Sequence, residues 1–143
     1  MVSLHHLLTS VLHTLLLVLM KILILRLFSY GRQKVIKDFA TAKPCVIVGS
    51  CADYILRDRE DCLKVFLYAD EETKENRIQE IYGEAGLKLK NRVKDMDVRR
   101  GLNYKYFTGQ DWGKAQNYDL ALNRGSLGIE KCAQLIVDAA SEE

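Results

Sequence analysis

Three short apolar runs alternate with helix-like segments between residues 31 and 143. The runs are Cys45–Gly49, Leu63–Tyr68 and Tyr118–Leu122. The first is apolar and β-branched, which is typical of a strand that is covered on both faces. Strands that alternate with helices indicate a parallel sheet with helical crossovers. The sequence therefore predicts an α/β fold with an incomplete parallel sheet of about three strands and flanking helices.

Helix signals fill the intervals between these runs. Asp70 is placed to cap one helix, and Ser126 is placed to cap the last one. The segment Leu87–Asn103 has many charges and few apolar positions, which indicates an exposed helix. The aromatic and glycine-rich segment Tyr104–Asn117 is predicted as a loop. Two further helices are expected, one around residues 35–39 that Pro44 ends and one over Ala52–Arg59.

The first thirty residues differ from the remainder in charge and hydropathy. They hold Lys21, Arg26 and no acidic residue, whereas residues 31–143 balance 19 basic against 19 acidic residues, so the net charge of +2 lies in this segment. Seventeen of the residues 4–28 are apolar. A membrane span needs about 20 such residues, but a charge at the bilayer centre costs about 3 kcal/mol. Residues 1–30 are therefore interpreted as a membrane-associated helix, a buried helix or a start foreign to the domain that follows.

Composition excludes several kinds of chemistry. The histidines stand at positions 5, 6 and 13 with no carboxylate or thiol near them, so we predict no metal site and no histidine base in the body. The four cysteines lack C-x-x-C spacing. Cys45 and Cys132 fall at predicted core positions, which favours a reduced, cytoplasmic chain; membrane association through residues 4–28 is the alternative. Without surplus positive charge after residue 30, the body is not expected to bind nucleic acid.

A turn follows the first predicted strand at Gly49–Asp53. Ligands of open α/β sheets bind beyond the carboxyl ends of the strands, so Ser50 and Asp53 would face a binding site. The alternative is that Gly49 serves the turn and Asp53 is a solvated helix residue.

Basic and aromatic side chains mark the second half of the chain. Arg92, Arg99 and Arg100, together with Arg77, could converge on phosphate oxygens, which guanidinium groups bind bidentately. The alternative is an exposed helix with ion pairs along its surface. The aromatic residues of Asn103–Gly113 could stack on a nucleotide base or form a packed surface loop.

Several motifs, in this order, resemble the cytidylate kinase-like group of nucleoside monophosphate kinases over roughly residues 33–140. They are Cys45–Leu56, Val65–Asp70, Asp97–Arg100, Asn103–Gly109, Trp112–Gly113, Asn117–Leu120 and Leu127–Glu130. The resemblance implies a P-loop NTPase fold that transfers the γ-phosphoryl group of ATP, with Mg²⁺, to a nucleoside monophosphate such as CMP. It implies an acceptor site at the Gly49–Asp53 turn and a mobile lid that carries the arginines.

The residues that the resemblance points to fall into two groups. Those expected to take part in transfer are Asp97, Arg99 and Arg100. Those expected to bind substrate are Ser50, Asp53, Arg77 and Arg92.

Two departures from the family pattern bear on activity. Ser50 stands where the pattern has an arginine, which replaces a charge-assisted phosphate contact with a neutral hydroxyl. No G-x-x-x-x-G-K-[ST] motif precedes Gly49, so the backbone N–H groups that cradle ATP phosphates are missing from this sequence. We therefore expect a truncated kinase with reduced or no activity alone. The alternative is a non-catalytic nucleotide-binding or interaction module that associates through an unpaired sheet edge. In one form of this alternative, residues 4–28 attach the module to a membrane.

Overall fold

A computed structural model describes residues 4–49, 51–83 and 87–141 of the chain. The chain divides into two units, residues 1–50 and residues 51–143. In the first unit, helix α1 spans Leu4–Ala42 and continues through residue 30, where the composition changes. The helix ends just before Pro44, as predicted, because proline lacks an N–H and disfavours helical backbone in the residue before it. Within the described ranges, no helix combines the length and hydropathy of a membrane span.

The first predicted strand, Cys45–Gly49, is not formed. Residues 44–48 have neither helical nor strand structure, and the side chains of Val46 and Val48 are 93% and 89% exposed. A strand needs a neighbouring strand to satisfy its backbone groups, and none pairs with this segment in the described part of the chain. Cys45 is consequently exposed instead of buried.

The second unit contains the two other predicted strands, which pair in parallel. Strand β1 spans Val65–Tyr68 and strand β2 spans Leu120–Asn123, with Val65 opposite Leu120 and Tyr68 opposite Asn123. The described residues thus form an α/β arrangement around a two-stranded sheet in place of the three strands expected. Crossover helices connect the strands, which is what parallel pairing requires.

Five helices belong to this unit within its described residues. They are α2 (Ala52–Ile55), α3 (Glu71–Tyr82), α4 (Leu87–Thr108), α5 (Arg124–Leu127) and α6 (Ile129–Ser141), and a 3₁₀ helix spans Ala115–Asn117. The predicted cap of α3 is confirmed, because Asp70 accepts a hydrogen bond from the Thr73 backbone N–H at 2.7 Å. α2 is shorter than expected. The core includes Leu122 of β2 and Cys132 of α6, both buried.

Two predicted boundaries are wrong. The loop expected from Tyr104 begins only after Thr108, because Tyr104 and Thr108 continue the buried helical face of Leu89 and Val93. Ser126 does not cap the last helix. Ser126 lies inside α5, and α6 begins after Gly128, whose φ of 78° few other residues adopt.

Candidate functional site

Polar groups from both strands meet at the carboxyl edge of the sheet. Asp70 accepts hydrogen bonds from the backbone N–H and, at 3.0 Å, the hydroxyl of Thr73. These bonds lower the pKa of Asp70, those from Thr73 being the main cause. Asn123 ends β2 and accepts from the Gly125 N–H at 3.0 Å. In parallel α/β sheets this edge is where ligands bind.

Gly125 allows the two strand ends to come together. A Cβ atom at this position would lie 3.0 Å from Thr73 Oγ1, 3.1 Å from Asn123 Oδ1 and 3.2 Å from Asp70 Oδ2, so a larger residue would push these oxygens apart. Sequence analysis did not single out Asn123 or Gly125. The available signal was an asparagine and a glycine directly after a predicted strand.

Asp53 lies in the first turn of α2, beside the backbone of Cys51. Cys51 has a left-handed conformation with a φ of 59°, which is uncommon for a residue with a side chain. The Asp53 carboxylate is half-buried and its Oδ2 accepts a hydrogen bond from the Tyr104 hydroxyl at 2.6 Å. This bond joins α2 to the C-terminal part of α4. Ser50, the other predicted acceptor residue, lies outside the described residues.

The Tyr104 hydroxyl is held as a donor. The side chain is only 4% exposed, and burial, followed by the hydrogen bond to Asp53 and the charge of Asp53, raises the pKa of Tyr104 well above its usual value. Gln110 Oε1 lies 3.4 Å from the same hydroxyl. Burial and the charge of Asp53 also raise the pKa of Tyr118. Tyr104 therefore stays protonated beside the carboxylate over the physiological range.

This pKa difference predicts an alkaline effect on stability. Above about pH 10, Tyr104 ionises in the unfolded chain but not in the folded one, so its contribution to stability is complete below that pH and declines as the pH rises. We expect Tyr104→Phe to lose less stability than the wild type between pH 9.5 and 11. Denaturant titrations at several pH values measure the two slopes, and parallel slopes would contradict the assignment.

Aromatic rings pack between β1 and the loop that precedes β2. The Phe66 ring stacks on Tyr118 with a centroid distance of 4.8 Å and meets the edge of Trp112 at 5.4 Å. Gly113, with a φ of 76°, passes so close that an added Cβ would lie 3.0 Å from the Phe66 ring. These contacts favour the packed-loop interpretation of Trp112 and Gly113 over base stacking.

The helices α3 and α4 form an antiparallel hairpin with ion pairs between them. Glu71 faces Lys94 at 3.5 Å, and Glu75 faces Lys90 at 3.9 Å. Lys74 Nζ lies 2.6 Å from Asp97 Oδ2, with both side chains more than two thirds buried. Asp97 Oδ1 also binds Arg100 at 3.1 Å, so this carboxylate holds two cations.

The predicted arginines lie on different parts of this hairpin. Arg100 contacts Asp97 and is itself exposed. Arg92 and Arg99 are also exposed and, seven residues apart on α4, share one face of the helix. Arg77 is exposed on α3. Helix α4 thus carries two exposed arginines on one face, Arg92 and Arg99, and a third arginine, Arg100, that the Asp97 carboxylate orients.

Comparisons with known proteins give one family match. The model of the cytidylate kinase-like family matches residues 12–126. A crystal structure of an uncharacterized protein from Eubacterium ventriosum is similar, with a TM-score of 0.76 and 25% sequence identity. That similarity covers 80% of this chain and 65% of the other, so this chain spans less than two thirds of that protein's length. No curated protein matches the sequence significantly.

Proposed function

Because the chain belongs to the cytidylate kinase-like family, we propose that it is a nucleotide kinase with ATP as donor and a nucleoside monophosphate such as CMP as acceptor. An oxygen of the acceptor phosphate forms a bond to the γ-phosphorus of ATP while the bond to the β–γ bridging oxygen breaks, giving CDP and ADP. Such transfer depends mainly on positioning and on neutralising the phosphate charge.

The contact between Asp53 and Tyr104 is the observation that carries this proposal. It brings a carboxylate of the proposed acceptor site against the helix that carries the arginines. At 1.5 Å of rise per residue, Arg99 and Arg100 lie about 6 to 8 Å along α4 from Tyr104. This separation matches the reach from the nucleoside part of a nucleotide to its phosphate.

The proposed roles follow from this placement. Asp53 binds the nucleoside side of the acceptor, and Arg99 and Arg100 bind phosphate oxygens as bidentate donors. Ser50 keeps the acceptor role that the family pattern implies, a neutral contact to the phosphate. Asp97 orients Arg100 and does not need to touch the substrate. The remaining exposed arginines of the hairpin, Arg77 and Arg92, belong to a lid that closes over the phosphates.

Mg²⁺ is proposed to arrive with ATP. Among the residues that the structure describes, no three histidine, cysteine or acidic side chains are grouped to hold a metal ion. Mg²⁺ usually keeps several waters and binds substrate phosphates with only one or two carboxylates. Single carboxylates, as the described residues provide, fit this kind of binding. In this proposal Asp70, at the carboxyl edge of the sheet, would hold the ion through the lone pairs that the two hydrogen bonds from Thr73 leave on its oxygens. When bound, the ion neutralises phosphate charge.

A second candidate is nucleotide binding without turnover. The sequence has no glycine-rich phosphate loop before Gly49, and we propose that the 143-residue polypeptide alone has reduced activity for this reason. The outer edges of β1 and β2 have no strand partner within the described residues. Such edges support association with another chain.

One assay separates the two candidates. The 143-residue protein is incubated with ATP, Mg²⁺ and CMP, and CDP is quantified, while calorimetry measures CMP binding without ATP. We expect CMP to bind and CDP to form slowly, with Arg99→Ala and Arg100→Ala abolishing its formation. CMP binding without any CDP would favour the non-catalytic module. Binding of none of CMP, UMP or dCMP would contradict both.

A further inference from the structure

The hydrogen bond between Tyr104 and Asp53 connects two elements far apart in sequence. The residues are 51 positions apart, on α4 and α2, and the donor–acceptor distance is 2.6 Å. A bond of this length between a hydroxyl and a carboxylate is charge-assisted and stronger than a neutral one. This hydrogen bond therefore fixes the orientation of the Asp53 carboxylate.

The geometry leaves half of the carboxylate for another partner. Tyr104 donates to Oδ2, and an ionised carboxylate has about four acceptor positions on its two oxygens, so Oδ1 can accept from a ligand. Asp53 is only half-buried, which gives a ligand access. The Tyr104 ring, by contrast, is buried, and its hydroxyl has a single proton to donate. The fixed partner is thus Tyr104, and the accessible group is Asp53.

We propose that Tyr104 is a positioning residue that holds Asp53 so that Oδ1 accepts a hydrogen bond from the acceptor nucleoside. This inference rests on the proposed kinase function. The donor on the nucleoside is the amino group of the base or the 2′-hydroxyl of the ribose, which share the same chemistry toward a carboxylate. Because Tyr104 lies on the helix that carries Arg99 and Arg100, the same contact links nucleoside binding to the orientation of the lid.

The experiment measures the CMP dissociation constant of the full chain by calorimetry. Tyr104→Phe removes only the hydroxyl, and we expect about a tenfold weaker affinity, the effect of one charge-assisted hydrogen bond. The matched control is Tyr106→Phe on the same helix, where the side chain is 60% exposed; its affinity should equal that of the wild type. Circular dichroism and Trp112 fluorescence verify that each variant is folded.

A double-mutant cycle distinguishes positioning from a general structural effect. In the Asp53→Ala background, Tyr104→Phe should cause no further loss, since the group that it positions is gone. UMP lacks the amino group and dCMP lacks the 2′-hydroxyl. We expect Tyr104→Phe to lose its effect with one of them, which identifies the donor.

Three outcomes would overturn the inference while leaving the proposed function intact. They are wild-type CMP affinity in Tyr104→Phe, a tenfold loss that persists in the Asp53→Ala background, and the same loss with CMP, UMP and dCMP. If the wild-type chain binds none of the three nucleotides, the kinase proposal itself fails, and that result is recognisable before any variant is made.

Discussion

Gly113→Ala is expected to lower the free energy of unfolding by about 3 kcal/mol. Two costs add in this variant. A φ of 76° is left-handed backbone, which costs a residue with a Cβ about 1 to 2 kcal/mol. The new Cβ would also lie 3.0 Å from the Phe66 ring, and relieving this contact shifts a ring that packs on Tyr118 and Trp112, at a further cost of about 1 to 3 kcal/mol.

Gly109→Ala is the matched control for the first of these costs. Its φ is 72°, but an added Cβ would meet nothing within 4 Å, so we expect a loss of only about 1 to 2 kcal/mol. Denaturant unfolding can be followed by the fluorescence of Trp112, the single tryptophan of the chain, which packs against Phe66. Equal losses in the two variants would show that the contact with Phe66 carries no energetic weight.

Asp97→Ala is expected to lower the stability of the α3–α4 hairpin by about 2 kcal/mol. The substitution leaves Lys74 and Arg100 without their shared carboxylate. Because Lys74 and Asp97 are only 29% and 25% exposed, water replaces the lost partner incompletely. Hydrogen exchange of the α3 and α4 amides, together with denaturant titration, measures the loss.

Asp111→Ala is the matched control for this ion pair. Lys105 and Asp111 are also 2.6 Å apart, but their side chains are 64% and 66% exposed, and exposed pairs contribute little. We expect Asp111→Ala to have the stability of the wild type within error. Salt at 0.5 M should leave the Asp97→Ala loss largely intact, since partly buried pairs are screened less. Similar losses in both variants would mean that burial does not strengthen the Lys74–Asp97 pair.

Local signals predicted those parts of the fold that local interactions determine. The aspartate cap of α3 and the two strands β1 and β2 could be predicted because a helix cap and a short apolar run are each set by a few neighbouring residues. The family could be identified because several of its motifs occur in this sequence in the same order. The helical continuation through Tyr104 and Thr108 was missed because glycines and aromatic residues nearby suggested a loop, although the spacing of the two residues was available.

Other features depend on contacts that no local pattern carries. Val46 and Val48 have the composition of a strand, yet a strand also requires a neighbour. The bond between Asp53 and Tyr104 joins residues that only the fold brings together, so sequence analysis selected Asp53 without its partner. The same holds for Asp97, whose contact with Lys74 crosses from one helix to another.

The carboxylate of Asp119 bears on how the strands β1 and β2 are aligned. Its Oδ2 accepts a hydrogen bond from the Lys64 backbone N–H at 2.7 Å and lies 3.2 Å from Lys64 Nζ, while the Asp119 N–H donates to the Lys64 carbonyl at 2.8 Å. These contacts fix the alignment of β1 and β2 at their first residues. A slip of one residue would turn Phe66 to the opposite face of the sheet. The register of the two strands is therefore held at their first residues by Lys64 and Asp119, and not by the α3–α4 crossover alone.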